Sequence, residues 1–190
     1  MNKLSPLYAI PLVAVAALAA CKKSEPAAPA AMAGPSAEAS VVSAETRLKA
    51  TDGNEAKGDI KFVSAAGGVK ISGTLEGLKP GGVSAFHVHE KGDCSAPDAS
   101  SAGGHLNPDG KPHGNMTAGD HHAGDMPNIT ADSEGKAMVD VTVPGLEIGT
   151  GSAKDVIGKA LVVHAGADDY TSQPAGNAGG RIACGVIEKG

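Results

Sequence analysis

Apolar and polar residues alternate along several short stretches of the chain from Glu45 onward, and glycine-containing turns separate these stretches. A period of two residues, rich in β-branched side chains, is typical of strands that have one buried face. No helical period competes with this pattern. We therefore predict an all-β fold whose strands run over residues 46–51, 59–64, 69–76, 84–90, 137–143, 160–164 and 182–187.

Two long segments interrupt this rhythm, residues 91–128 and residues 165–180. Both have little apolar periodicity and are rich in Gly, Pro and Asp, and the first contains most of the histidines. Structureless loops of this length are uncommon in a compact domain unless they carry function. We therefore expect the functional residues to lie largely in these loops.

The first twenty residues have the features of an export signal. Lys3 gives a short basic start, and an Ala-rich apolar run covers residues 7–20. Pro6 and Pro11 argue against a stable membrane-spanning helix. Residues 1–20 are accordingly predicted to be a signal peptide.

The apolar run ends in Leu-Ala-Ala-Cys, which is similar to the lipobox of bacterial lipoproteins, and its cysteine is Cys21. This motif predicts a lipid anchor on Cys21, and Lys22 after it predicts sorting to the outer membrane. An ordinary cleaved signal with a chance cysteine is the alternative. Residues 21–44 are dominated by Ala, Pro, Ser and Glu, which predicts a disordered tether before a single domain over residues 45–190.

Composition and charge limit the classes of partner. The 190 residues are 41% hydrophobic but only 2% aromatic, with 27 glycines and 12 prolines, which favours many turns between short strands. The formal net charge is −5, and no block of Lys or Arg is present, so a nucleic-acid partner is not expected. An acidic protein repels small anions at long range, and anion chemistry would therefore need local positive charge.

Strand alternation places two histidines on one face. In the predicted strand 84–90, Phe86 and Val88 share one face, and His87 and His89 share the other. Two imidazoles two residues apart on a rigid strand can reach one metal ion. A His-x-His pair alone is weak evidence, because histidines are also common on solvent-facing strand surfaces.

The remaining histidines strengthen the case for metal binding, because six of the seven, with one aspartate, provide ligands for two ions. Four imidazoles suit copper, and three imidazoles with a carboxylate form a complete tetrahedral zinc set. The copper set is His87, His89, His105 and His164, and the zinc set is His105, His113, His122 and Asp125. His105 belongs to both, which requires an imidazolate bridge. Spacing alone leaves His121 as an alternative to His122.

The cysteine count predicts one disulfide. If Cys21 carries lipid, Cys94 and Cys184 remain, and an exported protein meets an oxidising compartment.

From about Glu45 to its end, the chain resembles the bacterial periplasmic copper/zinc superoxide dismutases, in their lipoprotein form. The stretches that match are long and stand in the family's order: FHVHE (86–90), GDC (92–94), GHLNP (104–108), HG (113–114), HAGD (122–125), VVH (162–164) and GNAGGRIACGV (176–186). The resemblance implies a Greek-key β-sandwich or flattened β-barrel of about eight antiparallel strands with long metal-binding loops.

The resemblance also implies roles for single residues. It makes His105 the bridge between copper and zinc, and the family's His-x-Gly-Asp pattern selects His122 over His121. Arg181 matches an arginine that guides the substrate, and Asp168 matches an aspartate that hydrogen-bonds ligands of both metals. Cys94 and Cys184 match an intrasubunit disulfide.

The implied activity converts superoxide to dioxygen and hydrogen peroxide by Cu(II)/Cu(I) cycling, in a lipid-anchored monomer or homodimer of the periplasm or cell envelope. Residues 165–180 lack Lys and Arg, where many family members carry lysines that attract the substrate. Local attraction would then depend on Arg181, with Lys111 or Lys154 as further candidates. Two alternative functions are possible: a membrane-tethered buffer that stores and delivers copper or zinc, and a structural role for a family member that has lost copper.

Overall fold

The computed structural model describes residues 42–190. The predicted signal peptide, the lipidation site Cys21 and almost all of the predicted tether lie outside the described residues. The first strand begins at Ser43 and Ala44 is buried, although both had been placed in the tether. Ser43 and Ala44, which the sequence analysis assigns to the tether, are thus part of β1, and Ala44 packs into the core.

Ten short strands and one turn of 3-10 helix make up the regular structure of residues 42–190, so the all-β prediction is confirmed. They are β1 (Ser43–Ala50), β2 (Lys57–Ala65), β3 (Gly68–Glu76), β4 (Val83–Ser84), β5 (Phe86–His89), the 3-10 turn Ser100–Ala102, β6 (Ile129–Thr130), β7 (Ala137–Pro144), β8 (Ala160–His164), β9 (Arg181–Val186) and β10 (Glu188–Lys189).

Every predicted strand is present, but the strand predicted over 84–90 is divided at Ala85. The backbone of Ala85 bonds to the chain around the end of β8: its N–H donates to Gly166 O, and its carbonyl accepts from His164 N–H, each over 2.8 Å. These long-range bonds form where the β8 register shifts, between Val163 and His164. The missed strands β6 and β10 have two residues each, too few to show alternation.

The strands form one curled antiparallel sheet in the order β5-β8-β9-β1-β2-β3-β7, and β10 also pairs with β1. The connection from β3 to β4 and β5 crosses from one end of this order to the other, which gives the Greek-key pattern. β4 and β6 form a separate two-stranded pair. No helix within residues 42–190 has the length and hydropathy to cross a membrane.

The main core fills the inside of the curled sheet. Ile60, Phe62 and Ile71 are fully buried there, and Phe86 and Val88 of β5 join them. A second, smaller apolar cluster lies on the outer side of β8 and β9 and is made of Ala99, Ala102, Ala160, Val162 and Cys184. This second cluster packs the start of the loop 91–128 against the strands that position the histidines.

Candidate metal centre

Strands β5 and β8 bring three histidines to one face of the sheet. His87 pairs with Val162 and His89 with Ala160, and cross-strand partners in a sheet share a face. His164 lies two residues beyond Val162 on the same strand, so alternation directs it to that face too. None of the three is more than 4% exposed.

The loop 91–128 lies against β5 through backbone hydrogen bonds. Leu106 N–H donates to Val88 O over 2.8 Å, and Val88 N–H donates to Gly124 O over 3.0 Å. Gly124 is required for this approach, since a Cβ there would overlap the Val88 carbonyl oxygen. These contacts place His105 next to His89. They also fix the position of Asp125, which follows Gly124 in the chain.

The structure gathers the predicted ligands into two overlapping groups. In each group, one potential ligand atom per residue lies within 4.8 Å of every other. We call them the four-histidine group (His87, His89, His105 and His164) and the mixed group (His105, His113, His122 and Asp125). These are the two sets that the sequence predicted, and His105 is the shared member.

Six buried imidazole nitrogens in these groups have no hydrogen-bond partner: His87 Nδ1, His89 Nε2, His105 Nε2, His113 Nδ1, His122 Nδ1 and His164 Nε2. In several of these rings the second nitrogen is hydrogen-bonded. His89 Nδ1 lies 3.0 Å from Gly103 O, and His164 Nδ1 lies 3.4 Å from Gly179 O. A carbonyl can only accept, so these nitrogens carry the proton and leave the other nitrogen with a free lone pair. Buried lone pairs that converge without partners fit metal ions.

Asp125 organises the mixed group. Its Oδ1 is hydrogen-bonded to His105 Nδ1 over 2.7 Å. The same oxygen lies 3.0 Å from His113 Nδ1 and 3.3 Å from His122 Nδ1, but the geometry there is not that of a hydrogen bond. Its Oδ2 accepts the N–H groups of Gly114 and His122 over 3.0 and 2.8 Å. Burial opposes ionisation, but the hydrogen bonds from His105 and from these backbone groups hold the pKa of Asp125 below its usual value.

Asp168 connects the two groups. One carboxylate oxygen lies 2.8 Å from His87 Nε2, and the other lies 2.9 Å from His113 Nε2. Burial again opposes ionisation, and the hydrogen bonds with His87 and His113 prevail, so the pKa of Asp168 is lowered. The aspartate therefore fixes the ring orientation of one histidine from each group.

Burial keeps His87, His89 and His164 in the neutral form. It lowers the pKa of His87 to about 4 and that of His164 to about 3, and it also lowers the pKa of His89. In the mixed group, burial lowers the pKa of His122, whereas Asp168 and Asp125 outweigh burial and raise the pKa of His113. A neutral imidazole is the form that binds a metal ion.

His121 lies outside both groups. Its Nδ1 is 2.7 Å from the carbonyl oxygen of His122, and the side chain is partly exposed. The geometry therefore agrees with the choice of His122 that the family pattern indicated.

Arg181 lies at the start of β9 and pairs with His164 across the sheet. Its two terminal nitrogens donate to Ala99 O over 2.6 Å and to Gly103 O over 2.7 Å, which fixes the guanidinium. It lines a cavity of about 410 Å³ together with His105, His164 and Glu90. Arg181 is the one cationic side chain in this lining.

Lys111 and Lys154 do not line this cavity. Lys111 Nζ lies 3.4 Å from Asp120, and Lys154 Nζ lies 2.8 Å from Asp109. Each of these lysines therefore has a carboxylate partner outside the cavity lining, in which Arg181 is the one Lys or Arg.

The predicted disulfide between Cys94 and Cys184 is present, with the Cα atoms 5.8 Å apart. It joins the beginning of the loop 91–128 to β9. Because Ala99 and Gly103 of that loop hold the Arg181 side chain, the disulfide also stabilises the position of the guanidinium.

Sequence reasoning missed two amide side chains that join the loops. Asn128 exchanges two hydrogen bonds with the backbone of Asp168, over 2.8 and 2.9 Å. Gln173 does the same with the backbone of His113, over 2.8 and 2.9 Å. Neither residue stands in a pattern that distinguishes it from other loop amides, so the sequence carries no signal for these contacts.

Comparison with known proteins gives one consistent family. Residues 56–187 match the family described as copper/zinc superoxide dismutase (SODC). The chain is 46% identical over 147 residues to "Superoxide dismutase [Cu-Zn] 2" of Aquifex aeolicus, covering 76% of this chain and 85% of that protein. It is 40% identical over 151 residues to "Superoxide dismutase [Cu-Zn]" of Caulobacter vibrioides, covering 77% and 86%. A crystal structure of a SOD-like protein from Bacillus subtilis superposes with a TM-score of 0.67 at 38% identity, covering 74% of this chain and 95% of that one.

Proposed function

The chain belongs to the copper/zinc superoxide dismutase family, and from this we propose that it removes superoxide in the cell envelope. The family reaction converts two superoxide ions and two protons to dioxygen and hydrogen peroxide. The observation that carries the proposal is the convergence of six unpaired buried nitrogens on two groups that share His105.

In this proposal, the four-histidine group holds copper and the mixed group holds zinc. Imidazole ligands suit copper, and three imidazoles with Asp125 complete a tetrahedral zinc set. His105 and His164 of the four-histidine group also line the cavity, so one side of that group is accessible to a small anion. Copper, when bound there, supplies the one-electron redox chemistry that dismutation requires.

Arg181 binds the substrate. Its guanidinium is held by two carbonyl groups beside the cavity, so it offers a fixed positive charge to an entering anion. Because the protein has a net charge of −5 and Arg181 is the one cationic side chain that lines the cavity, this local charge is the main attraction for superoxide.

His105 connects anion binding to proton supply. Its Nδ1 is held by Asp125 over 2.7 Å, its Nε2 has no hydrogen-bond partner, and the residue lines the cavity. His105 Nε2 is therefore the ring position that can hold a proton for the reduced substrate while Nδ1 keeps the ring in place.

The decisive experiment measures superoxide removal by the protein loaded with copper and zinc, beside Arg181→Ala and Arg181→Lys. We expect rapid turnover by the wild type and at least a tenfold loss in Arg181→Ala, because a hydrogen bond to a charged group contributes about 1.5–3 kcal/mol. Arg181→Lys keeps the charge but not the two-carbonyl geometry, and should fall between them. A fully loaded wild-type protein without turnover would contradict the proposal and favour metal storage.

We also propose that Cys21 anchors the protein to the outer membrane on its periplasmic side. The signal-like residues 1–20 and the Cys94–Cys184 disulfide support an oxidising compartment outside the cytoplasm. Fractionation of cells that express wild type or Cys21→Ser tests this. We expect wild type in the outer-membrane fraction and Cys21→Ser in the soluble periplasmic fraction, whereas identical distributions would exclude the anchor.

A further inference from the structure

Gln173, in the loop 165–180, holds the backbone of His113, which lies in the loop 91–128. Its Oε1 accepts the His113 N–H over 2.8 Å, and its Nε2 donates to the His113 carbonyl over 2.9 Å, across a separation of 60 residues. Within residues 42–190, the backbone of His113 has no other hydrogen bond. The amide of Gln173 therefore makes both hydrogen bonds of the His113 backbone.

The loop 165–180, which contains Gln173, also holds the His113 ring. Asp168 lies 2.9 Å from His113 Nε2, so the segment from Asp168 to Gln173 contacts both the ring and the backbone of one ligand. His113 is 3% exposed, whereas Gln173 is exposed. Gln173 thus reaches in from the surface and sets where His113 lies, without itself belonging to the core.

The residues after Gln173 form part of the cavity wall. Pro174 and Ala175 line the cavity that contains Arg181. The segment is closed on itself, since Gly176 N–H donates to Ser172 O over 2.7 Å and Asp169 N–H donates to Gly176 O over 2.9 Å. If the backbone of Gln173 moves, Pro174 and Ala175 move with it, and the cavity wall changes shape.

We propose that Gln173 is a positioning residue that couples metal binding in the mixed group to the shape of the anion cavity. The proposal rests on the proposed function only in taking the mixed group as the zinc site. Loss of the amide frees the His113 backbone, which weakens the mixed group, and it also releases the cavity wall, which weakens anion binding near Arg181.

The first measurement is zinc affinity, by competition with a chromophoric chelator, for wild type, Gln173→Ala and the control Ser172→Ala. Ser172→Ala removes a hydrogen bond of the same loop, to Asp169 over 2.6 Å, but no contact with His113. We expect zinc affinity to fall about tenfold in Gln173→Ala, as is common when a group that supports a ligand is lost, and to stay unchanged in Ser172→Ala. Equal affinities in both variants would overturn the proposal.

The second measurement concerns the coupling. Azide, a small anion, is titrated into the copper- and zinc-loaded proteins. In a separate preparation with Co²⁺ in place of zinc, the visible spectrum of Co²⁺ reports the geometry of the mixed group. We expect weaker azide binding and an altered Co²⁺ spectrum in Gln173→Ala only. Weaker zinc binding with unchanged azide affinity would overturn the coupling.

These readouts also separate the two proposals. If wild type fails to remove superoxide but Gln173→Ala still weakens zinc and azide, the proposed function fails while the role of Gln173 stands. If wild type is active and Gln173→Ala matches Ser172→Ala throughout, the role of Gln173 fails alone. Gln173→Glu keeps an acceptor for the His113 N–H but places a carboxylate against the carbonyl, and is expected to resemble Gln173→Ala.

Discussion

The two faces of β5 are equally buried but chemically opposite. Phe86 and Val88 point into the main core, and His87 and His89 point towards the loops, yet all four are at most 1% exposed. The core face is satisfied by apolar contact alone, whereas the histidine face keeps unpaired nitrogens. Burial by itself therefore does not distinguish a stabilising surface from a functional one, and the distribution of unpaired polar atoms does.

The two regions are also held together differently. The core gains free energy from the removal of apolar surface from water, which needs no specific geometry at any one atom. The metal face depends on a few directed links: the Cys94–Cys184 disulfide, the Asp168 carboxylate and the amides of Asn128 and Gln173. We therefore expect changes in the core to alter stability and changes in the metal face to alter activity.

The largest expected effect is on activity, from His164→Ala in the metal face. This change removes one of four imidazoles in the four-histidine group and leaves the mixed group intact. We expect superoxide removal to fall at least 100-fold, with copper lost and zinc retained, as measured by a turnover assay and elemental analysis of the same sample. Retained activity with bound copper would show that the four-histidine group is not the reacting site.

Removal of the disulfide should affect both regions. The bond closes a loop with a sequence separation of 90, for which chain entropy predicts a contribution of about 4–5 kcal/mol to the free energy of unfolding. The double variant Cys94→Ser/Cys184→Ser is expected to lose about this much in denaturant unfolding. Its folded fraction should also bind azide more weakly, since Ala99 and Gly103 hold Arg181. Unchanged azide affinity would separate the disulfide from the cavity.

Phe86→Ala tests the core face of the same strand. Deletion of a fully buried aromatic ring typically costs about 3–5 kcal/mol, because a cavity remains. We expect this loss in the metal-free and the metal-loaded protein alike, with the turnover of the folded, loaded protein close to wild type. A large loss of turnover per bound copper would mean that the two faces of β5 are not independent.

Acidification should destabilise the metal-free protein through the metal face. Burial lowers the pKa values of His87 and His164 from 6.5 to about 4 and about 3, so the unfolded state binds more protons between these values and pH 6.5. Their contribution is fully present above about pH 6.5 and is lost as the pH falls, by about 1.4 kcal/mol per pH unit for each histidine. His113, whose pKa is raised, opposes this trend.

Urea unfolding of the metal-free protein at pH 7 and pH 5 measures this effect. We expect a clearly lower midpoint at pH 5, and a smaller drop in His164→Ala, which lacks one of the titrating groups. Equal midpoints at the two pH values in the wild type would contradict the account.

The sequence predicted those features that depend on local patterns. Alternation located each main strand and placed His87 and His89 on one face, because a strand fixes the direction of neighbouring side chains. The residue types and spacing of six histidines with Asp125 predicted both groups. Spacing could not choose between His121 and His122, since both lie in a loop without a period. The family pattern chose His122, and the structure shows His121 turned towards a backbone carbonyl.

Contacts between distant loops were beyond sequence reasoning. The interruption of the strand at Ala85 comes from hydrogen bonds to Gly166 and His164, about eighty residues away, and no local pattern encodes them. The same holds for Gln173 and Asn128, whose amides find backbone partners only after the two loops have been brought together.

The two-sided character of β5 has a consequence for folding errors. Side chains alternate with a period of two, so a shift of one residue in the pairing of β5 with β8 would exchange its faces. His87 and His89 would then be forced among Phe62, Ile71 and their neighbours, and Phe86 would replace an imidazole beneath the loops. Such a misaligned chain would lose its packing and its metal ligands together. The register that allows metal binding is therefore also the register that gives a stable core.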